Sequence, residues 1–152
     1  MMPIRPAHPN EASRLSAIAV EAKAYWGYAP EQIERWGNEL IVTATNIAAT
    51  PTFVAELDDE IVGFYSIVPS SQFWRLDNLW VAPAFMRRGI GRALFEHAVA
   101  TALRGGSKGV AIDADPNAES FYLACGARRT GTIPAPIPGQ PNRIRPQLLF
   151  EA

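Results

Sequence analysis

The stretch VAPAFMRRGIGRALF, residues 81–95, does most to constrain this chain. A strand-like run ends at Pro83, Arg87 and Arg88 precede Gly89 and Gly91, and an apolar helical pattern follows at once. Amides at a helix start lack intrahelical acceptors, and the helix dipole favours negative charge there. Glycine removes the side chain that would keep an anion off the backbone. Arg87, Arg88 and Arg92 add charge-assisted hydrogen bonds, so the turn suits a phosphate or pyrophosphate. A P-loop would need Gly, four residues and Gly-Lys-Ser/Thr, which is absent. A dinucleotide fingerprint would need a third glycine where Leu94 stands. A tight strand-to-helix turn without any ligand would use the same two glycines.

The remaining periodicities place that turn inside a mixed sheet. PIRPA suits a short edge strand. Asn10 is placed to cap a helix over EASRLSAIAVEAKAY, with Leu15, Ile18, Ala19 and Ala22 on one face. Pro30 opens a second helix, PEQIERWGNEL. Phe53–Leu57 and Ile61–Val68 flank a turn at Asp58-Asp59 and read as a hairpin. QFWRLDNLWVAP alternates as a third long strand, with Leu76, Asn78 and Trp80 on one face and Asp77, Leu79 and Val81 on the other. A helix from Ile90 to about Arg104, a short strand VAIDA and a helix over DPNAESFYLACGA follow. Strands near 127–133 and 146–151 are joined by the Pro-rich TIPAPIPGQPNRIRPQ. This order predicts an α/β (α+β) fold around a mixed sheet, in one domain spanning residues 1–152.

Composition narrows the function classes. With 48% apolar and 19% charged residues the chain reads as an ordinary globular protein. A net charge of −1 argues against a general nucleic-acid or membrane-surface binder. No segment is apolar over the length of a membrane span, and MMPIRPAHPNEAS lacks the long apolar run of a signal peptide, so a cytoplasmic setting is expected. Cys125 is the one cysteine and reads as a buried structural thiol. His8 and His97 stand apart without a Glu or Cys cluster, so no metal is expected.

Two motifs carry a family resemblance. LDNLWVAPAFMRRGIGRALFEHAV resembles the acetyl-CoA-binding motif of the GNAT acetyltransferase superfamily, Gln/Arg-x-x-Gly-x-Gly/Ala; Gly89 and Gly91 match, and Met86 stands in the Gln/Arg place. About thirty residues on, DPNAESFYLACGA resembles the family's Asn-x-x-Ala-x-x-Phe-Tyr-x-x-x-Gly-Phe helix. Asn117, Phe121, Tyr122 and Gly126 are in place; the alanine is displaced to Ala118, and Ala127 replaces the last Phe. The resemblance implies the GNAT fold, a mostly antiparallel sheet of six to seven strands flanked by about four helices.

It also implies transfer of an acetyl group from acetyl-CoA directly to a primary amine of a small molecule or peptide. The backbone of Leu79, Trp80 and Val81 would hold the pantetheine at a splay between the fourth and fifth strands. Met86, Arg87, Arg88, Gly89, Ile90, Gly91 and Arg92 would hold the pyrophosphate, with Asn117 and Phe121 further along the cofactor. Tyr122 matches the family's general acid, and Asp77 matches a carboxylate often used as base, with Asp113 and Asp115 as rivals; Asp115 in DPN also reads as a helix cap. Trp26 and Tyr28 lie where the acceptor pocket would be, with Trp80 and Phe64 joining from the sheet, or these aromatics close one end of the core. An aromatic wall favours a compact amine: an amino acid, an aryl or alkyl amine, or a peptide N-terminus. The Pro-rich segment would cap the acceptor cleft or mediate homodimer contacts. The alternatives are a non-catalytic CoA-binding regulatory module on the same fold and a nucleotide-binding interaction domain.

Overall fold

The computed structural model describes residues 3–152. Among them are seven strands, β1 (Ile4–Pro6), β2 (Thr52–Leu57), β3 (Glu60–Val68), β4 (Trp74–Val81), β5 (Gly109–Asp113), β6 (Arg128–Pro134) and β7 (Ile144–Glu151). The α-helices are α1 (Ala12–Tyr25), α2 (Pro30–Arg35), α3 (Gly37–Leu40), α4 (Ala44–Ala49), α5 (Ile90–Arg104) and α6 (Glu119–Ala124). The strands form one sheet in the order β1-β2-β3-β4-β5-β7-β6. β4 and β5 pair in parallel, whereas β1–β2, β2–β3, β5–β7 and β6–β7 pair antiparallel. The expected mixed, mostly antiparallel sheet is therefore present.

By its internal contacts the chain divides into two compact units. One holds the residues up to Ile67 together with Asn78–Ala98; the other holds Val68–Asp77 with Val99–Ala152. In the first, the predicted apolar face of α1 is buried at all four positions: Leu15, Ile18, Ala19 and Ala22. Leu15, Ile18 and Ala19 join Leu40, Val42, Ile47, Val54, Phe64 and Ala82 in one core cluster. In the second unit Ala102, Val110, Ile112, Tyr122, Ala127 and Leu148 are buried. The β2–β3 hairpin has the expected two-residue turn, with Asp58 at φ 50° and Asp59 at φ 63°. Such doubly left-handed turns match the twist of antiparallel strands, and Asp tolerates them better than most side chains.

Three local expectations are corrected. Asn10 does not cap α1: it lies inside a 3-10 turn, Pro9–Glu11, where the His8 amide donates to the Glu11 carboxylate at 2.7 Å. Arg5 pairs with that same carboxylate at 2.7 Å and holds its pKa below the ordinary glutamate value. The second helix breaks after Arg35, since Gly37 has little helical preference, and yields α2 and α3. A further helix, α4, was not expected. Thr43 caps it by accepting from the Asn46 amide at 3.0 Å, and the Asn46 side chain accepts from the Thr43 amide at 3.2 Å. Asn in the place of the usual Glu/Gln hid that reciprocal cap.

Gly63 sets how closely β3 approaches its surroundings. A Cβ at this position would lie 2.9 Å from the Trp80 carbonyl oxygen and 3.1 Å from Leu94 Cδ1. The first contact is backbone and cannot swing away. Gly63→Ala is expected to destabilise the protein by about 1–3 kcal/mol, as overpacking of a close-packed interior does, and urea unfolding checks it.

Candidate active site

In the first unit, the end of β4 and the start of α5 form the turn singled out in the sequence. Ala82 donates its amide to the Val62 carbonyl at 2.8 Å, and a 3-10 turn, Pro83–Phe85, follows. Arg87 and Gly89 then take positive φ, 64° and 82°. Gly89 is exposed, and a Cβ there would have nothing within 4 Å, so the backbone is open on that side. The Gly89 carbonyl accepts from the Ala93 amide at 3.1 Å, which places Ile90, Gly91 and Arg92 in the first turn of α5. Ile90 is 3% exposed, so it anchors the turn in the core rather than facing a ligand. Arg87, Arg88 and Arg92 are exposed and Met86 is half-buried. The Arg88 guanidinium lies 5.2 Å from the Phe85 ring centroid, which restrains its direction.

β4 itself carries a polar relay. Asn78 Nδ2 donates to Ser66 Oγ at 2.9 Å, and Trp80 Nε1 donates to Asn78 Oδ1 at 3.0 Å. Asn78 and Trp80 thus share a face, as the alternation predicted. Trp80 meets Trp26 with ring centroids 5.9 Å apart. Tyr28 packs edge-on against Trp36 at 4.8 Å. Lys23 Nζ lies 4.3 Å from the Trp36 centroid, 5.4 Å from Tyr28 and 5.9 Å from Trp26. Trp26 and Trp80 are therefore brought together, and Lys23, which the sequence reading passed over, belongs to the same aromatic group. Its only advance signal was its position one helical turn before Trp26. Phe64 is not part of a pocket: it is fully buried in the core cluster. Trp36 and Trp80 pack on that cluster, so the aromatics both close the core and present an edge.

β4 pairs with β5 from Trp74↔Val110 to Leu76↔Ile112 and runs on to Val81. Leu79, Trp80 and Val81, all half-buried, lie beyond that paired stretch, and Asp77 is exposed just past its end.

In the second unit, Asp115 Oδ1 accepts from the Asn117 amide at 2.8 Å and starts the 3-10 turn Pro116–Ala118 that runs into α6. The capping role read from DPN is present. Asn117 is exposed and Phe121 half-buried. Tyr122 is 6% exposed; burial, with a smaller contribution from Cys125, pushes its phenol above the ordinary tyrosine value. Cys125 itself is half-exposed rather than buried, because it caps the C-terminal end of α6. Both rival carboxylates are held by arginines. Asp113 receives Arg145 Nε at 2.9 Å and Gln147 Nε2 at 2.9 Å. Burial raises the Asp113 pKa, but these hydrogen bonds and the charges of Arg145 and Arg75 together bring it below the ordinary value. Asp115 pairs with Arg143 at 3.2 Å. His97 is not isolated: Tyr65 Oη lies 2.7 Å from its Nδ1. Among the described residues no group of three or more His, Cys, Asp or Glu gathers as a metal site, and no helix is long and apolar enough to cross a membrane.

The model of the acetyltransferase (GNAT) domain matches residues 48–126, from the end of α4 through α6, and the chain belongs to that family. No curated protein matches it by sequence. Among solved structures, a GCN5-related N-acetyltransferase from Rhodopseudomonas palustris is 23% identical, covers 100% of this chain and 96% of its own, and superposes with a TM-score of 0.83. PaiA N-acetyltransferase from Thermoplasma acidophilum, in complex with coenzyme A, is 17% identical over 100% of this chain and 99% of its own, with a TM-score of 0.79. The ribosomal-protein-S18-alanine N-acetyltransferase of Escherichia coli is 16% identical over 99% and 94%, with a TM-score of 0.76. The fold is the GNAT fold, and the protein is an acetyltransferase of that class.

The raised Tyr122 pKa has a measurable consequence for stability. In the unfolded chain a tyrosine ionises near pH 10, so above that pH the unfolded state loses a proton that the folded state keeps. Stability contributed by Tyr122 is complete below pH of about 10 and is lost as pH rises beyond it. Tyr122→Phe is expected to flatten the alkaline fall of the urea midpoint between about pH 9 and 11.

Proposed function

We propose that the chain, with its 152 residues acting as one functional domain, transfers an acetyl group from acetyl-CoA to the primary amine of a compact small molecule or a peptide N-terminus. The observation that carries the reading is the turn from β4 into α5, where Arg87 and Gly89 take left-handed conformations and the backbone at Gly89, just before the helix, is open. The group that fits is a diphosphate: an open helix start beside Arg87 and Arg88 supplies backbone donors and charge together. Bound acetyl-CoA supplies the thioester at which the amine nitrogen adds and the CoA thiol leaves.

The chain's own residues do the rest. Arg87, Arg88, Gly89, Gly91 and Arg92 hold the diphosphate, with Met86 and Ile90 fixing the turn. Leu79, Trp80 and Val81 offer backbone groups to the amides of the pantetheine, because their stretch of β4 lies beyond the pairing with β5. Asn117 and Phe121 line the cofactor further on. Tyr122 remains a neutral phenol throughout the neutral range and donates to the departing sulfur. Asp77 accepts the amine's proton, directly or through a water. Asp113 and Asp115 are poorer candidates, since each is already held as a carboxylate by an arginine. Trp26 and Tyr28 shape the acceptor side as rigid aromatic faces. Two structural relatives lend support to the donor and to an amine acceptor: one is in complex with coenzyme A, and the other is a ribosomal-protein-S18-alanine N-acetyltransferase.

Thermal denaturation with acetyl-CoA, ATP and NAD at matched concentration tests the donor. Acetyl-CoA at about 100 times its dissociation constant is expected to add about 2.7 kcal/mol, with no comparable gain from the other two. A shift with ATP or NAD alone would sink the reading. Thiol release with 2-phenylethylamine, L-phenylalanine and a short peptide then tests the acceptor. Tyr122→Phe is expected to lower kcat by about 100-fold while acetyl-CoA still stabilises the variant. Unchanged turnover in that variant removes the donor role from Tyr122.

A further inference from the structure

We propose that Arg143 is a positioning residue for acyl transfer, holding the start of α6, and with it Tyr122, through the buried carboxylate of Asp115. The proposal rests on the reading of Tyr122 as donor to the departing sulfur.

The Arg143 and Asp115 side chains are each only 5% exposed, and Nη2 lies 3.2 Å from Oδ2. The other oxygen of the same carboxylate, Oδ1, accepts from the Asn117 amide at 2.8 Å and from Asn117 Nδ2 at 2.9 Å. The Asp115 carbonyl accepts from the Ala118 amide at 2.9 Å and closes the 3-10 turn. That turn passes straight into α6 at Glu119, with Tyr122 three residues further on. A helix this short has little stability of its own, so its direction depends on what fixes its first turn. Arg143 is itself fixed from the other side. Its Nη1 donates to the Ala135 carbonyl at 3.0 Å, and the Ala135 amide donates to the Arg143 carbonyl at 3.0 Å. One guanidinium thus ties the base of the Pro-rich connection to the start of the tyrosine helix.

The other arginine–carboxylate pairs of this unit differ in kind. Arg128–Glu151, Arg145–Asp113 and Arg129–Glu119, the last on the first residue of α6, are 20–63% exposed, where ion pairs contribute little. Burying a pair costs desolvation that attraction barely offsets, so its use lies in selecting one geometry. Here the selected geometry is the angle at which α6 leaves β5. A displacement of about 1 Å at a reacting group slows a reaction by about 100-fold, so a loose α6 would be felt at the phenol.

Single-turnover thiol release from acetyl-CoA, with 2-phenylethylamine as the acceptor, is measured for Arg143→Met, Arg143→Lys, Tyr122→Phe and the Tyr122→Phe/Arg143→Met double variant. Backbone hydrogen exchange over residues 115–124 is followed in parallel and needs no acceptor. Arg143→Met is expected to slow release by about 10- to 100-fold with KM for acetyl-CoA unchanged, and to speed exchange across 115–124. Arg143→Lys recovers most of the rate, and adding Arg143→Met to Tyr122→Phe slows it no further. Should Arg143→Met fold poorly, Asp115→Asn/Arg143→Met removes both charges and is expected to fold yet remain slow. Arg128→Met, with its exposed ion pair, stays at the wild-type rate. Independent, multiplying losses from Tyr122→Phe and Arg143→Met overturn the proposal, as does unchanged exchange. A slow Tyr122→Phe beside a wild-type Arg143→Met defeats this proposal alone; a wild-type Tyr122→Phe defeats the reading of Tyr122 and this proposal together.

Discussion

The parallel pairing of β4 with β5, Trp74↔Val110 to Leu76↔Ile112, is the constraint on which the rest of the structure depends. Adjacent parallel strands cannot be joined by a hairpin; the chain must leave the end of one and return to the start of the other. Here it does so through the Pro83–Phe85 turn and α5. That obligation puts a helix start immediately after a strand end, which is where an anion meets open amides and a favourable dipole. Arg87 and Gly89 pass through left-handed backbone to make the bend. The turn from β4 into α5 is therefore a product of topology.

The same pairing accounts for the length by which β4 outruns β5. β5 ends at Asp113, while β4 continues to Val81. Five residues of β4 lie beyond the β5 register, and the polar relay from Ser66 through Asn78 to Trp80 keeps that stretch ordered from its side chains. Gly63 contributes from β3, because any Cβ there would push on the Trp80 carbonyl. A stretch that has left its neighbour on one side needs such lateral support, since half of its ladder is given up.

Much of this was legible in the sequence, and the reasons are specific. The 81–95 stretch announces itself because glycine, arginine and an abrupt change from period two to period 3.6 coincide. The apolar face of α1 is equally plain, and the Asp58-Asp59 turn follows from the hairpin pattern around it. What was hidden depends on tertiary placement. Nothing in the neighbourhood of Lys23 says that its ammonium will sit 4.3 Å from the Trp36 ring. The break at Gly37 and the Thr43–Asn46 cap hinge on weak local preferences that packing decides. The Asp115–Arg143 pair joins residues 28 positions apart. The intervening Pro-rich sequence signals a loop and says nothing of where its base is tied.

That pair also bears on which group accepts a proton. Asp113 and Asp115 stand two residues apart near the end of β5, yet their surroundings have diverged. Asp113 is exposed and receives a fork from Arg145 together with the Gln147 amide. Asp115 is buried and takes one guanidinium nitrogen and two donors from Asn117. A carboxylate stabilised in its charged form is a reluctant base, because protonation forfeits every one of those bonds. Arginines of the Pro-rich connection and of β7 thus commit both carboxylates to holding structure. Asp77, by contrast, is exposed on β4. The surroundings of Asp113 and Asp115 are set by the supply of arginine, and not by distance along the chain.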